Sequence, residues 1–180
     1  MIIKNSWPRE IMFLVLDVTV IVLFTLWVCG VRVNLTPSMP RGLYQILYEA
    51  PAKGDLVGFC LDKNNPFSAL AQERSYLGPG SCTSGLRPLI KVLAGLPGDR
   101  VELQPDGIVI NGEMLSGTER PETDRAGRLI PDSLLIAGTI PPGQALVLSP
   151  AHPGSFDGRH FGLVPFDSLT KIRPLLIESE

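Results

Sequence analysis

From Ile11 to Gly30 the chain is apolar except for Asp17 and two threonines, Thr19 and Thr25. About 20 such residues, wound as a helix, span the roughly 30 Å hydrocarbon core of a bilayer. This run divides the 180-residue chain. Residues 1–30 are expected to form an N-terminal membrane anchor. Residues 31–180 are then left as one domain of roughly 150 residues, enough for a core. A carboxylate such as Asp17 costs on the order of 2.5–3.5 kcal/mol at depth, so it must be protonated, paired or close to a leaflet. A cleaved secretion signal is the competing reading. The run is longer than a typical signal core, and Trp27-Val28-Cys29 has no small-x-small cleavage pattern. Lys4 and Arg9 precede the run while Arg32 and Arg41 follow it, so the positive-inside rule barely selects an orientation.

The downstream part reads as mainly β. Gly 18 and Pro 17 are spread along the chain rather than clustered, which suits short strands and frequent turns. Alternation or apolar runs predict strands at 31–35, 42–48, 56–60, 89–94, 100–103, 108–110, 144–149, 161–164 and 169–177. Asn111-Gly112 is a strong hairpin signal. Residues 116–134 are polar and read as loop. Between about 61 and 86 the strand pattern fails, and the stretch from Phe67 to Tyr76 has helical composition. Cys60 and Cys82 bracket this insertion. In an oxidising compartment they would pair and close a loop of about 20 residues, worth roughly 3 kcal/mol; otherwise they are two separate buried thiols. The balance of Lys+Arg 16 against Asp+Glu 18 leaves no basic field for nucleic acid. No C-x-x-C occurs, and His152 and His160 are distant in sequence from both cysteines, so neither metal nor cofactor is expected.

Two short stretches carry chemistry. Thr36-Pro37-Ser38-Met39 offers a serine shortly after the anchor, and Leu89-Ile90-Lys91-Val92-Leu93 puts a lysine inside an apolar strand. A serine hydroxyl is a weak nucleophile until a base takes its proton. A lysine can be that base near neutral pH only if its pKa falls by about three units, roughly 4 kcal/mol. Apolar burial supplies such a shift by penalising the ammonium more than the amine. Alone, Ser38 reads as a turn serine and Lys91 as a snorkelling edge lysine.

Four blocks stand in order after the apolar run: Thr36-Pro37-Ser38-Met39-Pro40-Arg41-Gly42, Gly54-Asp55-Leu56-Val57-Gly58-Phe59, the stretch from Ile90 to Val101 that contains Leu96-Pro97-Gly98-Asp99, and Ser155-Phe156-Asp157-Gly158-Arg159-His160-Phe161-Gly162. Together they resemble the type I signal peptidase family of serine–lysine proteases. The resemblance implies Ser38 as nucleophile and Lys91 as general base. It implies an oxyanion hole from the Thr36 hydroxyl and the Ser38 N–H, and Ser155 as the serine bonded to the lysine amine. Asp157 joins this catalytic group, with Arg159, Met39, Gly98 and Asp99 as structural support. The fold implied is a coiled antiparallel sheet or barrel behind a transmembrane helix. Ser38-Met39-Pro40, without an intervening residue, departs from the housekeeping enzymes, whereas Ser155-Phe156-Asp157-Gly158-Arg159-His160-Phe161-Gly162 and Tyr76-Leu77-Gly78-Pro79-Gly80-Ser81-Cys82 resemble the TraF branch of conjugative-transfer peptidases.

That branch implies an enzyme in the bacterial inner membrane with its catalytic domain in the periplasm. It would cleave, and in some members cyclise, a pilin precursor through an acyl-enzyme. The expected partners are that precursor or another exported polypeptide, the membrane and other conjugation-channel proteins. A general signal peptidase is the alternative within the same chemistry. A non-catalytic envelope scaffold is the alternative from another class, but it need not keep Thr36, Ser38, Lys91 and Ser155 together. A self-cleaving repressor would need a DNA-binding domain where the apolar run stands. A Ser-His-Asp triad is disfavoured, because Lys91 fills the base role and neither histidine sits in a triad motif.

Overall fold

A computed structural model describes residues 8–34, 39–150 and 152–178. The apolar run forms one helix, α1 (Arg9–Val28), with no buried side chain. It is long and apolar enough to cross a membrane. The Thr19 and Thr25 hydroxyls donate to the carbonyls of Val15 and Ile21, one turn back, so neither threonine leaves an unmatched donor on this apolar surface.

The rest is mainly antiparallel β. The strands are β1 (Val31–Asn34), β2 (Gly42–Ile46), β3 (Leu56–Phe59), β4 (Leu89–Gly95), β5 (Arg100–Gln104), β6 (Gly107–Ile110), β7 (Glu113–Leu115), β8 (Gly138–Thr139), β9 (Gln144–Leu148), β10 (Val164–Pro165) and β11 (Thr170–Ile177). Seven strands form a curled half-barrel sheet in the order β1-β2-β11-β3-β4-β9-β10, and four form a second sheet, β7-β6-β5-β8. Register shifts at Leu93/Gly95 and at Pro174/Leu176 bend the larger sheet.

Strand β9 serves two cores at once. Ala145 and Val147 join Val57, Phe59, Leu89, Leu93 and Phe161 on one side. Leu146 and Leu148 join Val101, Ile108, Ile110 and Ile140 between the sheets. This is the period-2 alternation of a strand buried on both faces. Gly95 lets the sheets approach, since a Cβ there would lie 2.6 Å from Ile140 Cδ1.

The helical insertion is present as α2 (Pro66–Glu73), with the Asn65 side chain capping the amide of Phe67; it ends three residues before the predicted Tyr76. A disulfide joins Cys60 to Cys82 across the insertion. Asn111 and Gly112 both have positive φ, 52° and 84°, as the predicted tight hairpin requires.

The expected strand at 161–164 is corrected. A short helix, α3 (Gly158–Phe161), occupies its start, and only Val164 and Pro165 pair with β9. The reason is local. Asp157 accepts from the amide of Arg159 and so caps a helix, and Gly162, at φ +80°, ends it.

Candidate functional site

Lys91 sits on β4 at the same face as Leu89 and Leu93, two residues to either side. It therefore points into the apolar core that those leucines build, and it is 0% exposed. Burial pulls its pKa down to about 8; Asp157 opposes the shift and Arg159 adds to it. Its Nζ donates to Ser155 Oγ at 2.8 Å. Ser155 is 4% exposed and lies in the turn after β9, where its amide donates to the His152 carbonyl at 2.9 Å.

That turn is held by a buried ion pair. Arg159 Nε and Nη2 donate to the two carboxylate oxygens of Asp157 at 2.9 and 2.8 Å. The Ser149 amide donates to Asp157 Oδ2 at 2.9 Å. The remaining guanidinium protons reach four carbonyls, those of Gly117, Glu119, Pro153 and His152. One arginine thus ties the turn around Ser155 to the distant strand-to-strand excursion at 117–119. The Asp157 carboxylate accepts from Arg159 and from the Ser149 amide; towards Lys91 it acts through its charge.

His160 packs edge-to-face against Phe67 and tilted against Phe156. Burial is the main cause that lowers its pKa to about 4, with Arg159 and Arg120 adding to the fall against Asp157. It is neutral at physiological pH and serves as one ring of an aromatic cluster.

Thr36 and Ser38 lie outside the described residues. Met39, next along the chain, is described. Asn34 Nδ2 donates to the carbonyls of Met39 and Pro40, and Tyr44 Oη donates to Pro40 at 2.6 Å. Ser149 Oγ lies 3.9 Å from Met39 Sδ, and Ser149 follows Leu148, which pairs with Val92 beside Lys91. Gly98 and Asp99 are placed elsewhere, in the turn from β4 to β5. Gly98 donates to the Ile140 carbonyl, and Asp99 accepts from Leu96, Asn111 and Lys53; they shape a turn.

A cavity of about 510 Å³ is lined by Lys91, Ser155, Phe156 and His160, with residues 121–130 forming part of its wall. The polar stretch read as plain loop is therefore an arm. Its tip is a tight reversal organised by Asp124, which accepts from the amides of Ala126 and Arg128, from Arg128 Nε and from Tyr76 Oη. Burial would raise the Asp124 pKa, but these donors outweigh it and hold the carboxyl well below its usual range. Arg74 Nη1 donates to the Leu129 carbonyl at 2.8 Å, which docks the arm on the disulfide-bearing insertion. Asp124-Arg125-Ala126-Gly127 is a readable turn signal. Its docking surface, Arg74 and Tyr76, lies 48–50 residues away in sequence.

The family described as signal peptidase, peptidase S26, matches residues 4–172. A conjugal transfer protein TraF of Agrobacterium tumefaciens (strain 15955) is 42% identical over 150 residues, which cover 81% of this chain and 82% of that protein. A plasmid transfer protein TraF of Escherichia coli is 34% identical over 151 residues, covering 83% and 84% respectively. The crystal structure of a signal peptidase I from Enterococcus faecalis V583 aligns with 67% of this chain and 94% of its own, at 24% identity and a TM-score of 0.39.

Proposed function

Given that this chain belongs to the signal peptidase family, peptidase S26, we propose that it is a membrane-anchored serine–lysine endopeptidase that matures an exported polypeptide, a conjugative pilin precursor, in the periplasm. The family and its TraF relatives support a peptidase role in conjugal transfer. Helix α1 is suited to anchor the chain in the bacterial inner membrane, and the Cys60–Cys82 disulfide suits an oxidising compartment outside the cytoplasm.

One observation carries the chemical reading. The amine of Lys91 lies wholly buried among leucines, and among the described residues its one hydrogen bond is to a serine hydroxyl, beside an open cavity. An amine placed so loses its proton far more readily than free lysine, as a general base must. A non-catalytic scaffold gains nothing from burying it.

In the proposed reaction, neutral Lys91 takes the proton of Ser38 as its Oγ attacks the scissile carbonyl. The Thr36 hydroxyl and the Ser38 amide stabilise the oxyanion, where loss of one donor costs about 10²–10³ in rate. The proton on Lys91 passes to the leaving amine, and an acyl-enzyme remains. Water then releases a linear product, or the substrate's own amino terminus releases a ring. Ser155 holds the Lys91 amine in place, and Asp157 with Arg159 holds Ser155.

The test is intact-mass analysis of a candidate pilin precursor co-expressed with the wild type, Ser38→Ala and Lys91→Ala. Processing by the wild type alone is expected, and cleavage retained by either variant overturns the assignment. A product lighter by one water than the cleaved linear chain identifies ring closure.

A further inference from the structure

Three guanidinium groups line the cavity beside Lys91, those of Arg74, Arg125 and Arg128, against a single carboxylate among the described residues, Asp124. Asp124 is fully engaged. Arg128 Nε bonds it at 2.7 Å, Arg74 Nη1 stands 3.7 Å away, and the Tyr76 hydroxyl and two amides take its remaining acceptor sites. Arg74 and Arg128 thereby share one carboxylate partner. Among the described residues, Arg125 has no hydrogen bond or ion pair.

Its position is fixed by the backbone beneath it. The Asp124 amide donates to the Arg128 carbonyl and the Gly127 amide to the Asp124 carbonyl. With the two amides bonded to the Asp124 side chain, these hold a closed turn with Arg125 at its tip. From there Arg125 Nε reaches to 3.8 Å from the point where a Cβ on Gly154 would stand. Gly154 immediately precedes Ser155. A free guanidinium therefore stands over the cavity mouth within one residue of the serine that holds Lys91, on a wall with excess positive charge.

We propose that this cavity is a carboxylate-accepting subsite for the polypeptide substrate, with Arg125 as the group that reads the carboxylate. A guanidinium offers a carboxylate a planar pair of N–H donors. The partly enclosed mouth screens that pair less than open solvent does. The carboxylate is an acidic side chain near the scissile bond or the free C-terminus of a substrate cut close to its end. This inference rests on the serine–lysine reading for the identity of the site. Its test is a binding measurement that needs no cleavage, so the two can fail separately.

The full chain carrying Ser38→Ala, in detergent, is offered a pooled set of decapeptides built on small apolar residues. Each position in turn carries Glu, Gln or Lys, and each peptide is made with a free or an amidated C-terminus. Retained peptides are counted by mass spectrometry. Peptides with a carboxylate at the reading position should be retained about tenfold more than their Gln or amide counterparts. Adding Arg125→Ala should erase that preference while leaving neutral peptides as before, and Arg125→Glu should turn it towards Lys. Preference for internal Glu identifies a side-chain carboxylate, and preference for the free acid over the amide identifies the C-terminus. Arg125 is exposed, so both variants should melt as the parent does. Equal retention of charged and neutral peptides, including no retention of either, overturns the proposal. A preference that survives Arg125→Ala overturns it as well.

Discussion

Lys91 and Arg159 are buried to nearly the same depth, 0% and 2% exposed, and they stand close enough for the charge of one to act on the pKa of the other. Their surroundings differ in every other respect. Arg159 has a bidentate carboxylate and four carbonyls around its guanidinium. Lys91 has leucines on its own face of the strand and, among the described residues, one hydrogen bond from its amine, to a hydroxyl. Burial sets the cost of a charge; the number of acceptors decides whether that cost is met. The same region of the protein thus keeps one cation as a structural tie and leaves the other poised to give up its proton.

The largest effect should come from removing the poised cation. Lys91→Met is expected to lower cleavage by about 10²–10⁴-fold while the domain still melts cooperatively, since a thioether suits the leucine-lined position better than an ammonium does. In the wild type, activity should fall as pH drops below the Lys91 pKa of about 8. A rate profile that climbs only near the pKa of free lysine would break the comparison at its first term.

Removing the structural cation should act on stability instead. Arg159→Met leaves Asp157 charged and buried without its partner, an expected loss of about 3–5 kcal/mol in urea unfolding. Arg159→Lys should not restore it, because an ammonium cannot span two carboxylate oxygens and four carbonyls. Recovery by lysine would mean that charge alone matters at this position.

The pH dependence of stability separates the two cations more finely. Lys91 has a folded pKa of about 8 against 10.5 for an unperturbed lysine. Below pH 8 both folded and unfolded chains hold the proton, and the folded one bears the full burial penalty. Between the two values the unfolded chain binds more protons, so stability rises with pH, by about 3 kcal/mol across the window. Urea midpoints measured on either side of the window should show this gain in the wild type and not in Lys91→Met.

The smallest effect is expected at Ser155. Ser155→Ala removes the hydroxyl that orients the amine and should slow cleavage by roughly 10–100-fold, with a change in stability below about 1.5 kcal/mol. A loss of stability as large as that of Arg159→Met would make Ser155 part of the tie instead.

Much of this arrangement was legible in the chain. Local signals mark α1, the Asn111-Gly112 hairpin and the strand carrying Lys91, because each depends on a neighbour only a few residues away. The oddity of Lys91 is also visible without coordinates, since period-2 alternation already puts it on the face of Leu89 and Leu93. The apolar residues at 161–164 misled as a strand, because one capping carboxylate at Asp157 and one glycine outweighed their β propensity. Residues 116–134 read as plain loop because nothing within them names what they dock against.

Sequence by itself therefore determined which residues could do chemistry, through the energetics of single side chains in a strand or a helix. Tertiary structure decided what surrounds them: that Ser155 meets Lys91 across 64 residues, that Arg159 gathers carbonyls from two separated loops, and that an arm leaves Arg125 over the cavity. Those outcomes depend on where long loops close, and loop closure is governed by the packing of the whole sheet rather than by any local preference.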